Sequence, residues 1–317
     1  MWFDVDDAMN SDVQDPNFRR FIQDGYCVLE SAVSVEAIDV LVAEMNVAFR
    51  DKNSYEIFYQ DNPSGETRPL STFDGDASSV RFVDLMMSLD SAQRVLMSEK
   101  IIDFLTKLFE APPVLFQSLS FEYGSQQGLH QDTAYVVTVP PMNLVGVWIA
   151  LEDVVEGSGE LMYGVGSHNL PYFFQNRTGK FHWDSQLDGH AIHEEYAEYL
   201  RQECVTNGKR IQTFLPKKGD VLIWHSQLAH GGSQITNPEK TRRSLVGHFC
   251  PYGTLPNWAI STGLDPKIST VNPNAYVMSQ YEFSGRNEKS QLRDFSGRFA
   301  FRISRTFINR IRKTFNS

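Results

Sequence analysis

The chain has 317 residues, 41% hydrophobic and 12% aromatic, which is apolar material enough for one large core. Its formal net charge of -10 argues against a nucleic-acid-binding protein, and no apolar run approaches the ~20 residues that cross a bilayer. The acidic start Met1-Trp2-Phe3-Asp4-Val5-Asp6-Asp7 lacks the layout of a secretory signal, and three distant cysteines (Cys27, Cys204, Cys250) imply no disulfide framework, so a reducing cytoplasm is expected.

Asp15-Pro16-Asn17 reads as a helix start, with Phe18, Phe21 and Ile22 on one face, and Gly25-Tyr26 ends it. Tyr26-Cys27-Val28-Leu29 is a short strand. Ser34 caps a second helix, whose apolar positions Ala37, Ile38, Leu41, Val42, Met45 and Phe49 keep a 3.6 period. No Gly-rich turn follows the strand, which excludes a nucleotide-binding unit. Residues 51–80 are polar, with Gly and Pro, and read as a long loop. A third helix is expected over Ser91–Glu110, stopped by Pro112-Pro113.

From Val114 the pattern changes to strands, expected at 114–123, 129–137, 143–151, 159–163, 210–215, 219–225 and 242–250. One helical interruption is expected at His193–Cys204. The class is mainly β with flanking α: a jelly-roll barrel beside N-terminal helices, without a linker between domains. The insert 165–207 carries Phe173, Phe174, Phe181 and Trp183 and reads as a lid. Residues 251–290, punctuated by prolines, read as irregular.

His130-Gln131-Asp132 on a strand would set an imidazole and a carboxylate on one face. Non-haem iron(II) is held by two histidines and a carboxylate on one triangular face. His182-Trp183-Asp184 has the same spacing but lies among loop-forming residues, so the first pair is the candidate. For the third ligand, His225 and His230 compete. On a continuous strand they would face opposite ways, and His230, beside Gly231 and Gly232, is better placed to reach a metal at a barrel mouth. Arginine binds a carboxylate through a planar fork. Arg242 shares strand parity with Ser244, Val246 and His248, which suits a wet pocket better than the parity of Arg243.

These residues resemble the phytanoyl-CoA hydroxylase family of iron(II)/2-oxoglutarate dioxygenases. The matching pieces are Phe21-Ile22-Gln23-Asp24-Gly25-Tyr26, His130-Gln131-Asp132, Trp148 to Asp153, Gly159-Glu160-Leu161, Gly166-Ser167-His168, Gly219-Asp220, His230-Gly231 and Arg242. Val165 stands where the family often has Pro. The step from His230 to Arg242 is one residue longer than the family's, with the extra residue placed in the Asn237-Pro238 turn. The resemblance implies a double-stranded β-helix of the cupin-like kind in one domain over 1–317, with its core at about 17–250. It implies iron(II) on His130, Asp132 and His230, 2-oxoglutarate on Arg242, and O2 as oxidant. It further implies that Trp148 lines the cosubstrate pocket, with Gln117 and Ser244 in contact with 2-oxoglutarate. The reaction implied is hydroxylation of an unactivated C–H bond of a small-molecule or acyl substrate, releasing succinate and CO2. Related halogenases replace the carboxylate, so Asp132 favours hydroxylation.

The tail, about 290–317, is basic and compatible with a helix on which Phe301, Ile308 and Phe315 recur every seven residues. Packing on its own domain or on a second subunit is the favoured reading, and contact with an anionic membrane the alternative. Two rival functions are a metal-binding jelly-roll isomerase or hydrolase, and a non-catalytic scaffold acting through the tail.

Overall fold

The computed structural model describes residues 15–61, 66–75, 80–184, 186–206, 211–261, 266–272 and 274–279. The expected tail helix lies outside them. Helix α1 (Pro16–Asp24) begins where Asp15 accepts a hydrogen bond from Asn17 N at 2.9 Å, and ends at Gly25 in the left-handed region, φ 83°. Strand β1 (Tyr26–Leu29) follows. Helix α2 (Val35–Arg50) is capped by Ser34 and buries Ile38, Leu41, Met45 and Ala48.

The segment expected as a loop holds three short strands, β2 (Phe58–Asp61), β3 (Thr67–Pro69) and β4 (Val80–Val83). Each is too short for alternation to show, and pairing with neighbours holds it in place. The expected helix 91–110 is two, α3 (Asp90–Leu96) and α4 (Glu99–Phe109). Ser98 leaves the helical region at φ -58°, ψ 148°, and the helix restarts after it.

The strands β5 (Pro113–Phe121), β6 (Thr138–Val139), β7 (Val145–Ala150) and β8 (Leu161–Gly164) come next, then helices α5 (Phe173–Thr178) and α6 (Gly189–Arg201). Strands β9 (Ile211–Phe214), β10 (Val221–His225), β11 (His230–Gly232), β12 (Ser244–Pro251) and β13 (Leu255–Pro256) lead to α7 (Asn257–Ser261). A hairpin, β14 (Lys267–Asn272) and β15 (Ala275–Ser279), stands in the stretch expected to be irregular. No strand spans 129–137. His130 makes an isolated bridge, and Asp132–Ala134 is a 3-10 turn.

Among the described residues the larger sheet runs β1-β10-β7-β12-β5-β4-β2-β3, with β15 joining β5, and the smaller runs β11-β8-β9. Alternation splits each central strand between two environments. Leu222 and Trp224 of β10, Trp148 of β7 and Val246 of β12 face Leu161, Tyr163 and Phe214 of the smaller sheet. Val221, Ile223, Val147, Ile149 and Leu245 face the other way, into the N-terminal helices. The result is a double-stranded β-helix backed by helices. The insert does not hang free: Phe173, Phe174, Tyr196 and Leu200 pack with Ala134 and Ala229, over the turn that carries Asp132 and the segment that leads into His230 of β11. Among the described residues no helix is long and apolar enough to cross a membrane.

Candidate metal centre

His130 and His230 sit opposite one another on an antiparallel bridge, exchanging N–H···O=C bonds of 2.9 Å in both directions. Their rings lie 4.4 Å apart between centroids. Each Nδ1 is 2.9 Å from the carbonyl two residues earlier, Gly128 O for His130 and Leu228 O for His230. An Nδ1–H donated there fixes the tautomer and leaves both Nε2 lone pairs free for a metal. Desolvation of its ring first, and His230 beside it second, push the His130 pKa down to about 3, so it is neutral at physiological pH.

Asp132 completes the set. One ligand atom from each of His130, Asp132 and His230 lies within 4.8 Å of the others, the arrangement a facial iron site needs. The carboxylate is 4% exposed. Trp224 Nε1 donates to its Oδ2 at 2.7 Å, and His248 Nε2 stands 3.4 Å from the same atom. Oδ1 is left toward His230 Nε2, 3.5 Å away. Burial pushes this carboxyl up, but the three histidines around it outweigh that and hold it below the usual carboxylate range. His130 and Asp132 are brought together by the bridge and the following turn, and not by a shared strand face.

The same cavity, about 290 Å³, is lined by His130, Asp132, His230, Trp148, Gln117 and Arg242. Arg242 is 2% exposed. Its Nη1 donates to Ser244 Oγ at 2.6 Å and its Nε to Gly159 O at 3.1 Å. The Trp148 and Phe121 rings lie 5.5 and 5.6 Å from its Cζ. Among the described residues no carboxylate comes within 4.0 Å of it. Burial pulls its pKa down to about 10, against the pull of Glu152 and Glu160, and it stays charged at neutral pH. A buried cation without an ion-pair partner is costly, and an entering carboxylate relieves that cost. Arg243, by contrast, is engaged by Glu122 at 2.5 and 2.8 Å. Gln117 Oε1 meets His248 Nδ1 at 2.8 Å.

Several motif residues serve the frame instead of the cavity. A Cβ on Gly25 would run into the His168 ring. Gly25 O also accepts from His225 N at 2.9 Å, and Asp24 O from Gly166 N at 2.8 Å. Ser167 Oγ accepts from Ala229 N at 2.8 Å, steadying the approach to His230. Glu152 accepts from Arg243 N at 2.8 Å and Thr241 Oγ1 at 3.0 Å, clamping the turn on both sides of Arg242. Tyr196 of α6 holds Gln131 N through its hydroxyl at 2.8 Å. The lid expectation thus becomes a brace on the metal loop.

His225 is half-buried and stands outside the cavity lining, its pKa pushed to about 3 by desolvation and by His168. The turn at 226–229 separates it from His230, so strand parity does not relate the two. His182 and Asp184 remain in a turn of the insert. Sequence reasoning missed Trp224 and Tyr196, whose bonds cross from other elements. The inward parity of Trp224 with Leu222 was the available signal for the first.

The phytanoyl-CoA dioxygenase family model matches residues 21–244. Phytanoyl-CoA dioxygenase domain-containing protein 1 of Danio rerio is 26% identical over 261 residues, covering 70% of this chain and 85% of the relative. The protein of that name from Bos taurus is 25% identical, with 82% and 97% covered. Among solved structures, the epimerase SnoN in complex with Fe3+, alpha ketoglutarate and nogalamycin RO superposes with a TM-score of 0.57 at 16% identity, covering 83% of this chain and 96% of that one. EctD from S. alaskensis with bound Fe gives 0.53 at 18%, covering 76% and 78%. At these identities the structural likeness speaks for the fold. The family match over most of the chain, together with the His-Asp-His cluster, carries the rest: the chain belongs to the phytanoyl-CoA dioxygenase family and is a 2-oxoglutarate-dependent non-haem iron oxygenase, with iron, 2-oxoglutarate and O2 as its cofactors and cosubstrates.

Proposed function

We propose that this oxygenase hydroxylates an unactivated C–H bond of a small-molecule or acyl substrate, releasing succinate and CO2. His130, Asp132 and His230 hold the iron, and Arg242 binds the distal carboxylate of 2-oxoglutarate. The observation that carries the reading is Arg242, a buried guanidinium with no carboxylate among the described residues, in the cavity of the His-Asp-His cluster.

Iron(II) and 2-oxoglutarate, when bound, would let O2 act as the oxidant, with 2-oxoglutarate giving up the electrons that its loss of CO2 releases; the chain supplies geometry and a dry wall. The two Nδ1 bonds aim the Nε2 lone pairs. Trp224 and His248 take Oδ2 of Asp132 and leave Oδ1 for the metal. Ser244 and the Gly159 carbonyl fix the plane of the Arg242 fork, and the Trp148 ring covers it. Gln117 supports His248 and through it the carboxylate. The intact Asp132 leaves no room for a halide in its place, which supports hydroxylation.

Residues 1–317 act as one domain in this reading, and the three buried free cysteines suit a reducing cytoplasm. The hydrolase and scaffold readings require no 2-oxoglutarate, whereas the isomerase reading is separated by the mass of the product, since the epimerase SnoN depends on alpha ketoglutarate. Succinate release that depends on both iron(II) and 2-oxoglutarate, and a product heavier than its substrate by one oxygen atom, is the expected outcome. An isomeric product of unchanged mass would replace hydroxylation, and no succinate at all would sink the assignment.

A further inference from the structure

The cavity holds a second guanidinium. Phe82 of β4 pairs with Ser120, which puts Arg81 beside Phe121, and Gln60 of β2 pairs with Arg81. Ser244 pairs with Phe121 from the other side. Ser244, Phe121, Arg81 and Gln60 thus form one row across four strands, and the last three line the cavity with the metal cluster.

Arg81 donates its Nε to Gln60 Oε1 at 2.9 Å, while the Gln60 amide nitrogen is held by Thr67 Oγ1 at 2.9 Å. Among the described residues no carboxylate lies within 4.0 Å of Arg81, and no hydrogen bond occupies its two terminal nitrogens. That leaves the end of the fork free, and two parallel N–H groups match a carboxylate. Burial lowers its pKa, so the enclosure is felt. A neutral amide is a weak partner for such a cation. Arg242 lies deeper and is pinned by Ser244 and Gly159, which suits the cosubstrate. Arg81, half-buried at the β4 edge, suits a ligand that enters second.

We infer that Arg81, steadied by Gln60, receives the carboxylate of the substrate, so that the enzyme acts on an organic acid held by its anionic end. The inference rests on the proposed function, since it assigns the remaining cation of that site.

The test is calorimetry on the full chain, loaded anaerobically with Fe(II) and saturating 2-oxoglutarate. Acetate, butyrate and octanoate are titrated against the matching amides. At least one acid is expected to bind tenfold or more tighter than its amide. Arg81→Gln removes that preference, and so does Gln60→Glu, which places a carboxylate on the guanidinium from within; affinity for 2-oxoglutarate stays within threefold in both. Binding of none of the acids, equal binding of acid and amide, or a preference surviving both substitutions overturns the inference. A tenfold loss of 2-oxoglutarate affinity in Arg81→Gln overturns it as well, by giving this arginine to the cosubstrate. If the chain takes up neither iron nor 2-oxoglutarate, the proposed function fails separately. The acid–amide comparison on the metal-free Arg242→Gln variant then still decides the role of Arg81.

Discussion

The indole of Trp224 donates to Oδ2 of Asp132 at 2.7 Å, in a wall where Trp224 is 2% exposed. The bond fixes which carboxylate oxygen faces the two histidines. Trp224→Phe keeps most of the ring and removes the donor. Iron(II) affinity should fall ~10–100-fold, the range for lost support of a ligand, with the fold intact by circular dichroism. Unchanged affinity in this variant would mean that Asp132 is oriented without the indole.

The brace from the insert is tested at Tyr196, whose hydroxyl accepts from Gln131 N at 2.8 Å. Tyr196→Phe leaves that buried N–H unpaired, at a cost of about 1–3 kcal/mol. Tm is expected to fall and iron affinity to weaken with it, because Gln131 stands between the two ligands contributed by its loop. A drop in Tm alone would make the insert a purely structural addition.

Much of this frame was legible in the chain and much was not. Asp15-Pro16 and Ser34 announce α1 and α2 because capping is local chemistry between neighbours. His130, Asp132, His230 and Arg242 were readable as a set, and they do line one cavity. The strand proposed for 129–137 was not there: His130 is held by a bridge to His230, a long-range pairing, and Asp132 turns at once into a 3-10 turn. Strands β2 to β4 escaped notice for the same reason, since register with β5 decides them, and Arg81 with Gln60 went unseen in the supposed loop. Gly25 and His168 looked like motif residues and prove to be a packing pair.

That pair yields a double-mutant prediction. Gly25 has φ 83°, and a methyl there meets the His168 ring. Gly25→Ala is expected to cost about 2–4 kcal/mol, combining backbone strain with overpacking. His168→Ala removes the obstacle, so the double variant should be more stable than the sum of the single losses predicts, by ~1 kcal/mol or more. Additive losses in urea unfolding would show that the two do not touch in solution.

Asp84 gives a pH dependence. Burial raises its pKa to about 6, against Ser118 N–H and His248, which pull it down. The folded state therefore binds this proton more readily than the unfolded chain. Its favourable contribution is complete below the ordinary carboxylate pKa and is lost as pH rises through about 6. Asp84→Asn keeps an acceptor for Ser118 N, tolerates the left-handed φ of 53°, and carries no charge. In metal-free protein it should be more stable than the parent at pH 7.5 by on the order of 1–3 kcal/mol. The gain should shrink on acidification through pH 6 toward 4. A gain that is constant with pH would place the proton elsewhere.

The most direct measurement of the central claim is an anaerobic spectral titration with iron(II) followed by 2-oxoglutarate. A visible charge-transfer band is expected in the native protein, none in Asp132→Ala or His230→Ala, and in Arg242→Gln a band that needs at least tenfold more 2-oxoglutarate. No band in the native protein, or bands of equal strength and affinity in all four, would contradict it.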